Sequence, residues 1–239
     1  MTYVEGFLTA VPVAHRETYR EHAARAADLV IDLGVSRMVE AWGEDIPDGQ
    51  HTDMRRAVRA TPDETVVFSW FEYPDKATRD AANARLAGDP RMDEMMKDMP
   101  FDGRRMIYSG FTVVSDLGDA AGAGFIDGVV LPVTGGADAY TRHAVSLAPL
   151  FREYGAVRVV DTIGDDIRVG EVTDFPRAVD AAPGEAIGFG WVEWPARDQR
   201  DAAWERIMGD ERMTAAGAPP WDGKRMIFGG FTVQLDRRG

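Results

Sequence analysis

The chain has 239 residues, 45% of them hydrophobic, no cysteine, and a formal net charge of −13. This supplies enough apolar material for real cores and excludes disulfides, thiolate catalysis and thiolate metal sites. The acidity is shared by both halves and disfavours binding to nucleic acid or anionic lipid, since both need a positive surface.

Residues 2–11 read as a strand, TYVEGFLTAV, stopped by Pro12. Glu5 interrupts its apolar run and no basic segment precedes it, so no signal peptide is expected. No stretch approaches the roughly 18 apolar residues of a membrane helix. A cytoplasmic protein with no membrane partner is expected. A helix follows from His15 to about Leu33, with Tyr19, Ala23, Ala27 and Val30 at three- and four-residue spacing. Gly34 is a natural terminator. The next strand runs from Ser36 to about Gly43. It leads into the turn-rich EDIPDGQHTD and a segment, DMRRAVRATPDE, read as a short irregular strand or turn. Thr65 to Tyr73 is a strand apolar on both faces, which expects burial on both. Residues 75–87 and PRMDEMMKDM form two helical segments, and RRMIYSGFTVV is the last strand of this half.

The second half says the same thing again. FDGRRMIYSGFTVV at 101–114 returns as WDGKRMIFGGFTVQ at 221–234, and FSWFEYP at 68–74 returns as FGWVEWP at 189–195. A repeat this long suits two whole small domains rather than a solenoid unit. The expected fold is α+β: two ferredoxin-like β-α-β-β-α-β domains, at 1–116 and 124–239, joined by a linker at 117–123. A four-stranded sheet with both helices on one side leaves its other face bare, and a second copy is the obvious cover. The two sheets are therefore expected to pack face to face as one intramolecular barrel with helices outside. The tail DRRG reads as too short to matter.

The motifs of the first half resemble those of the YbaA-like family of bacterial proteins. The resemblance is carried by Glu44-Asp45-Ile46-Pro47-Asp48-Gly49, FSWFEYPDKATRDAAN at 68–83, GDPRM at 88–92 and PFDGRRMIYSGF at 100–111. It covers essentially the whole first half and, more loosely, the second. It implies a ferredoxin-like fold pairing into a dimeric α/β barrel, here fused within one chain, and brings no activity with it.

Comparing the halves picks out candidate site residues. Glu40 and Glu72 lie on strands among aromatics, where burial would raise their pKa values and suit them to acid–base work; His22 lies in the first helix as a possible general base. These three are the catalytic candidates. Trp42, Trp70, Arg105, Asp161, Trp191 and Glu193 are the ligand-binding candidates. For Glu72 and Arg105 the alternative is a structural ion pair or turn. His15, His22 and His51 lack a compact ligand spacing, so no metal is expected. No glycine pattern supports a nucleotide site, and no cofactor is expected. Met92, Met95, Met96 and Met99 read as a core or lid stripe. Pro47, Trp42, Ser69 and Asn83 become Arg168, Ile163, Gly190 and Trp204, so the two halves are expected to be inequivalent, one a working site and the other scaffold, with the first holding the fuller set of candidates. The function expected is small-molecule binding or cofactor-free catalysis, in a monomer or weak homodimer. A structural or protein-interaction module is the alternative.

Overall fold

The computed structural model describes residues 2–119 and 121–239; Met1 and Ala120, the latter within the expected linker, lie outside them. The first half runs β1 (Tyr3–Pro12), α1 (Arg16–Asp32), β2 (Arg37–Asp45), α2 (Met54–Ala57), β3 (Glu64–Tyr73), α3 (Lys76–Leu86), α4 (Pro90–Lys97) and β4 (Ile107–Gly118). The second runs β5 (Phe125–Val133), α5 (Ala137–Glu153), β6 (Arg158–Asp166), α6 (Phe175–Ala178), β7 (Ala186–Trp194), α7 (Arg197–Ile207), α8 (Glu211–Ala215) and β8 (Ile227–Arg238). The eight strands close into one antiparallel barrel in the order β1-β3-β2-β8-β5-β7-β6-β4. The halves meet at two seams, β2 with β8 and β4 with β6. Closure leaves no strand edge exposed to another chain.

Three local features differ from the sequence reading. DMRRAVRATPDE contains the helix α2, because the Asp53 side chain accepts the Arg56 N–H at 2.8 Å and caps it. β4 continues to Gly118, two residues into the expected linker, pairing with β6 as far as Arg158. The C-terminal tail does matter. β8 runs to Arg238 along β2, and Asp236 pairs with Arg37 at 2.9 Å.

The barrel is filled by matching residues from the two halves. Phe68 stacks on Phe189 with centroids 4.5 Å apart, and Trp70 on Trp191 at 4.4 Å. The phenylalanine pair needs bare backbone opposite it. A Cβ on Gly6 would lie 2.8 Å from the Phe189 ring, and one on Gly128 would lie 2.7 Å from Phe68. At one end α2 and α6 close the barrel, with the Thr52 and Thr173 hydroxyls donating to the Ala178 and Ala57 carbonyls. Beside the tryptophans lies a buried ion network. Trp70 and Trp191 donate their indole N–H groups to Glu72 and Glu193, each at 3.0 Å. Arg158 binds Glu72 through both terminal nitrogens at 2.7 and 3.0 Å, and Arg37 binds Glu193 at 2.8 and 2.9 Å. Each guanidinium thus reaches the carboxylate of the other half. Burial works to raise the Glu72 pKa, but Arg158 and Arg37 outweigh it and hold it below the ordinary value.

Removing one partner of such a buried pair strands a charge. The Glu193 side chain is 0% exposed, and without Arg37 its remaining cation, Arg158, is 3.6 Å away. Arg37→Met is therefore expected to lower stability by about 3–5 kcal/mol, read from urea unfolding. A loss within about 0.5 kcal/mol, the range of an ordinary surface change, would contradict this role.

Candidate functional site

Stacked aromatics and buried ion pairs occupy the space between the sheets, and a cavity lies outside it. A cavity of about 480 Å³ sits between the outer face of β1, β2 and β3 and the helices α1, α3 and α4. This is within the size range of small-molecule sites. Its walls are mostly apolar: Phe7, Phe71 and Met38 from the sheet, Ala23, Ala26 and Leu29 from α1, and Leu86 from α3. Met92, Met95, Met96 and Met99 cover it, from α4 and the turn that follows. α4 starts because Asp89 caps it and Pro90 occupies its first turn; none of its residues is buried. A helix so lightly held, bearing flexible thioether side chains, can adapt to differently shaped ligands.

Polar groups are few in this wall. Glu40 projects from β2 and is buried. Tyr19 from α1 donates its hydroxyl to Glu40 at 2.7 Å, and Ser69 from β3 donates to the same oxygen. Burial pushes the Glu40 pKa up to about 7, against the opposing pull of those two donors. Tyr19 is pushed well above its ordinary range by burial and by Glu40, so it stays a donor. His22, one helical turn after Tyr19, is 7% exposed; its Nδ1 is buried without a hydrogen-bond partner. Burial, then Arg25, lowers its pKa, which favours the neutral imidazole. Glu5 is tied into the wall by Tyr73 at 3.1 Å, Asn83 at 2.8 Å and Arg79 at 3.2 Å. The arrangement offers one carboxyl that changes charge near neutrality and one unengaged imidazole nitrogen, facing apolar space.

The sequence reading grouped Glu40 and Glu72 as catalytic carboxylates on strands among aromatics. Strand register separates them. Glu40 pairs across from Ser69, so it shares the outer face with Phe71 and Tyr73, while Trp70 and Glu72 point into the barrel. Among the catalytic candidates, His22 and Glu40 line the cavity and Glu72 lies in the ion network. Among the ligand-binding candidates, Trp70, Trp191 and Glu193 are barrel interior. Trp42 is buried beside Tyr19, at 6.3 Å between ring centroids, without lining the cavity. Arg105 pairs with Glu64 at 2.7 Å and with Asp102 at 3.0 Å, anchoring the Asp-Gly turn. Asp161 occupies the place of Glu40 in the second half, accepting from Tyr140 at 3.2 Å, with its pKa raised by burial to about 6. Tyr19, Ser69 and Arg168 line the cavity and were not singled out as site residues. Tyr19 could have been found, since it lies three residues before His22 and recurs as Tyr140 before His143. Among the described residues, no group of three or more His, Asp or Glu could hold a metal ion.

The second half is lined differently at the equivalent positions. Asn83 is replaced by Trp204, which with Trp194 donates to Asp127, each at 2.8 Å. Phe101 is replaced by Trp221, which packs edge-on against His143 at 4.9 Å. Met95 and Met96 become Ala216 and Gly217.

The Glu40 environment has a pH signature. An acid whose pKa is raised by folding adds stability at low pH and loses it as pH climbs from the ordinary 4.5 toward about 7. That loss is of the order of 3 kcal/mol for this one group. Glu40→Gln has no proton to lose there, so its stability measured by urea unfolding should decline less than that of the parent chain between pH 5 and pH 8. Parallel profiles for the two proteins would show that Glu40 is not perturbed.

Residues 2–103 and 124–223 match the family model described as "Protein of unknown function (DUF1428)". The "Uncharacterized protein YbaA" of Escherichia coli strain K12 is 54% identical over 116 residues, 48% of this chain and 99% of that protein; the match to its Shigella flexneri counterpart is the same. Among solved structures, a candidate monooxygenase from Fusobacterium nucleatum superposes with a TM-score of 0.59 at 10% identity, covering 99% of this chain and 94% of that one. An anthrone oxidase-like protein superposes with a TM-score of 0.56 at 14% identity, covering 99% and 93%. At these identities the likeness is one of fold. With its family model matched across both repeats, the chain belongs to the DUF1428 family, as a tandem fusion of two YbaA-like units.

Proposed function

We propose that the first half binds a small, largely apolar molecule in the cavity under α4, and that Glu40 exchanges a proton with it. His22 is the second polar contact. The second half, with its tryptophan-filled counterpart, is scaffold. In this reading the chain is two ferredoxin-like units, at 1–116 and 124–239, that fold as one fused barrel. Both barrel seams are formed within the chain, which supports a monomer.

The observation that carries the reading is a buried carboxyl with a pKa of about 7 in the wall of an otherwise apolar cavity. A carboxyl poised at the working pH suits acid–base catalysis, and desolvation strengthens its hydrogen bonds to a bound group. No helix among the described residues is long and apolar enough to cross a membrane.

Titration with 1-naphthol, a neutral phenol of suitable size, tests this. Its affinity for the parent chain should rise with pH around a midpoint near 7, as Glu40 becomes an acceptor for the phenol proton. Glu40→Gln should flatten that dependence. Ala26→Trp or Met95→Trp, which fill the cavity from α1 and α4, should remove binding while the far-ultraviolet spectrum stays that of the folded chain. Binding that ignores both filling substitutions would place the ligand elsewhere, and a flat profile in the parent chain would remove Glu40 from the site.

A further inference from the structure

The second half reaches into the cavity of the first. Arg168, in the loop after β6, is among the described residues the single second-half residue in the cavity wall and its single guanidinium. Its backbone N–H donates to the Ser109 hydroxyl at 3.1 Å, fastening the loop to β4. Its guanidinium lies 4.6 Å from the centre of the Tyr108 ring and donates to the Tyr108 hydroxyl at 2.7 Å. Among the described residues no carboxylate stands within ion-pair distance of it. The side chain is exposed, so it stands at the mouth, whereas Glu40 and His22 are buried. The first half has Pro47 at the matching position and offers no such cation to the second.

Register fixes where this cation lies relative to Glu40. Tyr108 pairs with Phe7, Phe7 with Ser69, and Ser69 with Glu40. These four residues form one row across β4, β1, β3 and β2, all facing the cavity. Three interstrand spacings make the row about 14 Å long. One end carries a fixed positive charge at the opening, the middle is aromatic, and the other end carries the buried carboxyl.

We infer that the ligand of this cavity is an amphipathic organic anion roughly ten carbons long, its acid group held by Arg168 at the mouth and its apolar body laid along Phe7 toward Glu40. Arg168 is then a specificity residue donated by the half that has no site of its own, which gives the fusion a functional consequence. A delocalised guanidinium with free donors suits a carboxylate or sulfonate.

This inference rests on the cavity reading above, and a matched pair of fluorophores separates the two. 1-Anilinonaphthalene-8-sulfonate and N-phenyl-1-naphthylamine share one ring skeleton and differ by the sulfonate. Arg168→Met should weaken the sulfonate about fivefold at low salt, the effect of an exposed ion pair, and leave the neutral amine within about twofold. Raising the salt should shrink the sulfonate difference. Equal loss of both probes, or no loss of the sulfonate, would overturn the role of Arg168. If neither probe binds, or if Ala26→Trp and Met95→Trp leave both bound, the cavity reading itself fails and this one with it.

Discussion

The stacked aromatic pairs inside the closed barrel are the constraint on which the rest of the molecule depends. Phe68 on Phe189 and Trp70 on Trp191 come from opposite halves, so neither half can complete its inner face alone. Eight strands give an interior that side chains just fill. Here they fill it, and the Glu72–Arg158 and Glu193–Arg37 pairs finish one end. Exchanging carboxylates across the pseudo-twofold axis costs desolvation, and a well-packed apolar plug could be as stable. What the exchange does supply is geometric: in this register each guanidinium meets the carboxylate of the other half at both terminal nitrogens.

A barrel interior used for packing pushes any ligand chemistry to the outer face. There the two halves share a scaffold and differ in filling. The tyrosine–acid pair persists in both, as Tyr19 with Glu40 and Tyr140 with Asp161. In the first half Asn83, Phe101 and the methionines of α4 leave a cavity; in the second, Trp204 and Trp221 take up the corresponding places. The second half still reaches the first half's cavity through Arg168, in a loop that β4 holds in place.

Much of the fold was legible because repetition and alternation are strong signals. The doubly apolar TVVFSWFEY required cover on both faces, and a second copy of the same module was present to give it. The site was legible only in part. Glu40 and Glu72 are both strand carboxylates that recur in the second half, and nothing in either segment alone reveals which face each takes. That depends on register against the neighbouring strand, where Glu40 falls opposite Ser69. Arg37 and Arg158 also recur, but their function as barrel counter-ions depends on contacts across the two halves. Arg168 looked like simple drift from Pro47, because its place is in the other half's cavity wall. The tail DRRG looked dispensable for the same reason, as its partner strand is β2 of the opposite half.

The central claim is that Glu40 changes charge near neutrality while facing a ligand cavity. Carboxyl-carbon NMR of the chain labelled at glutamate measures this directly. One glutamate resonance should titrate with a midpoint near 7, vanish in Glu40→Gln, and shift its midpoint when N-phenyl-1-naphthylamine is added. If every glutamate titrates below about 5, in the ordinary carboxylate range, the claim is contradicted.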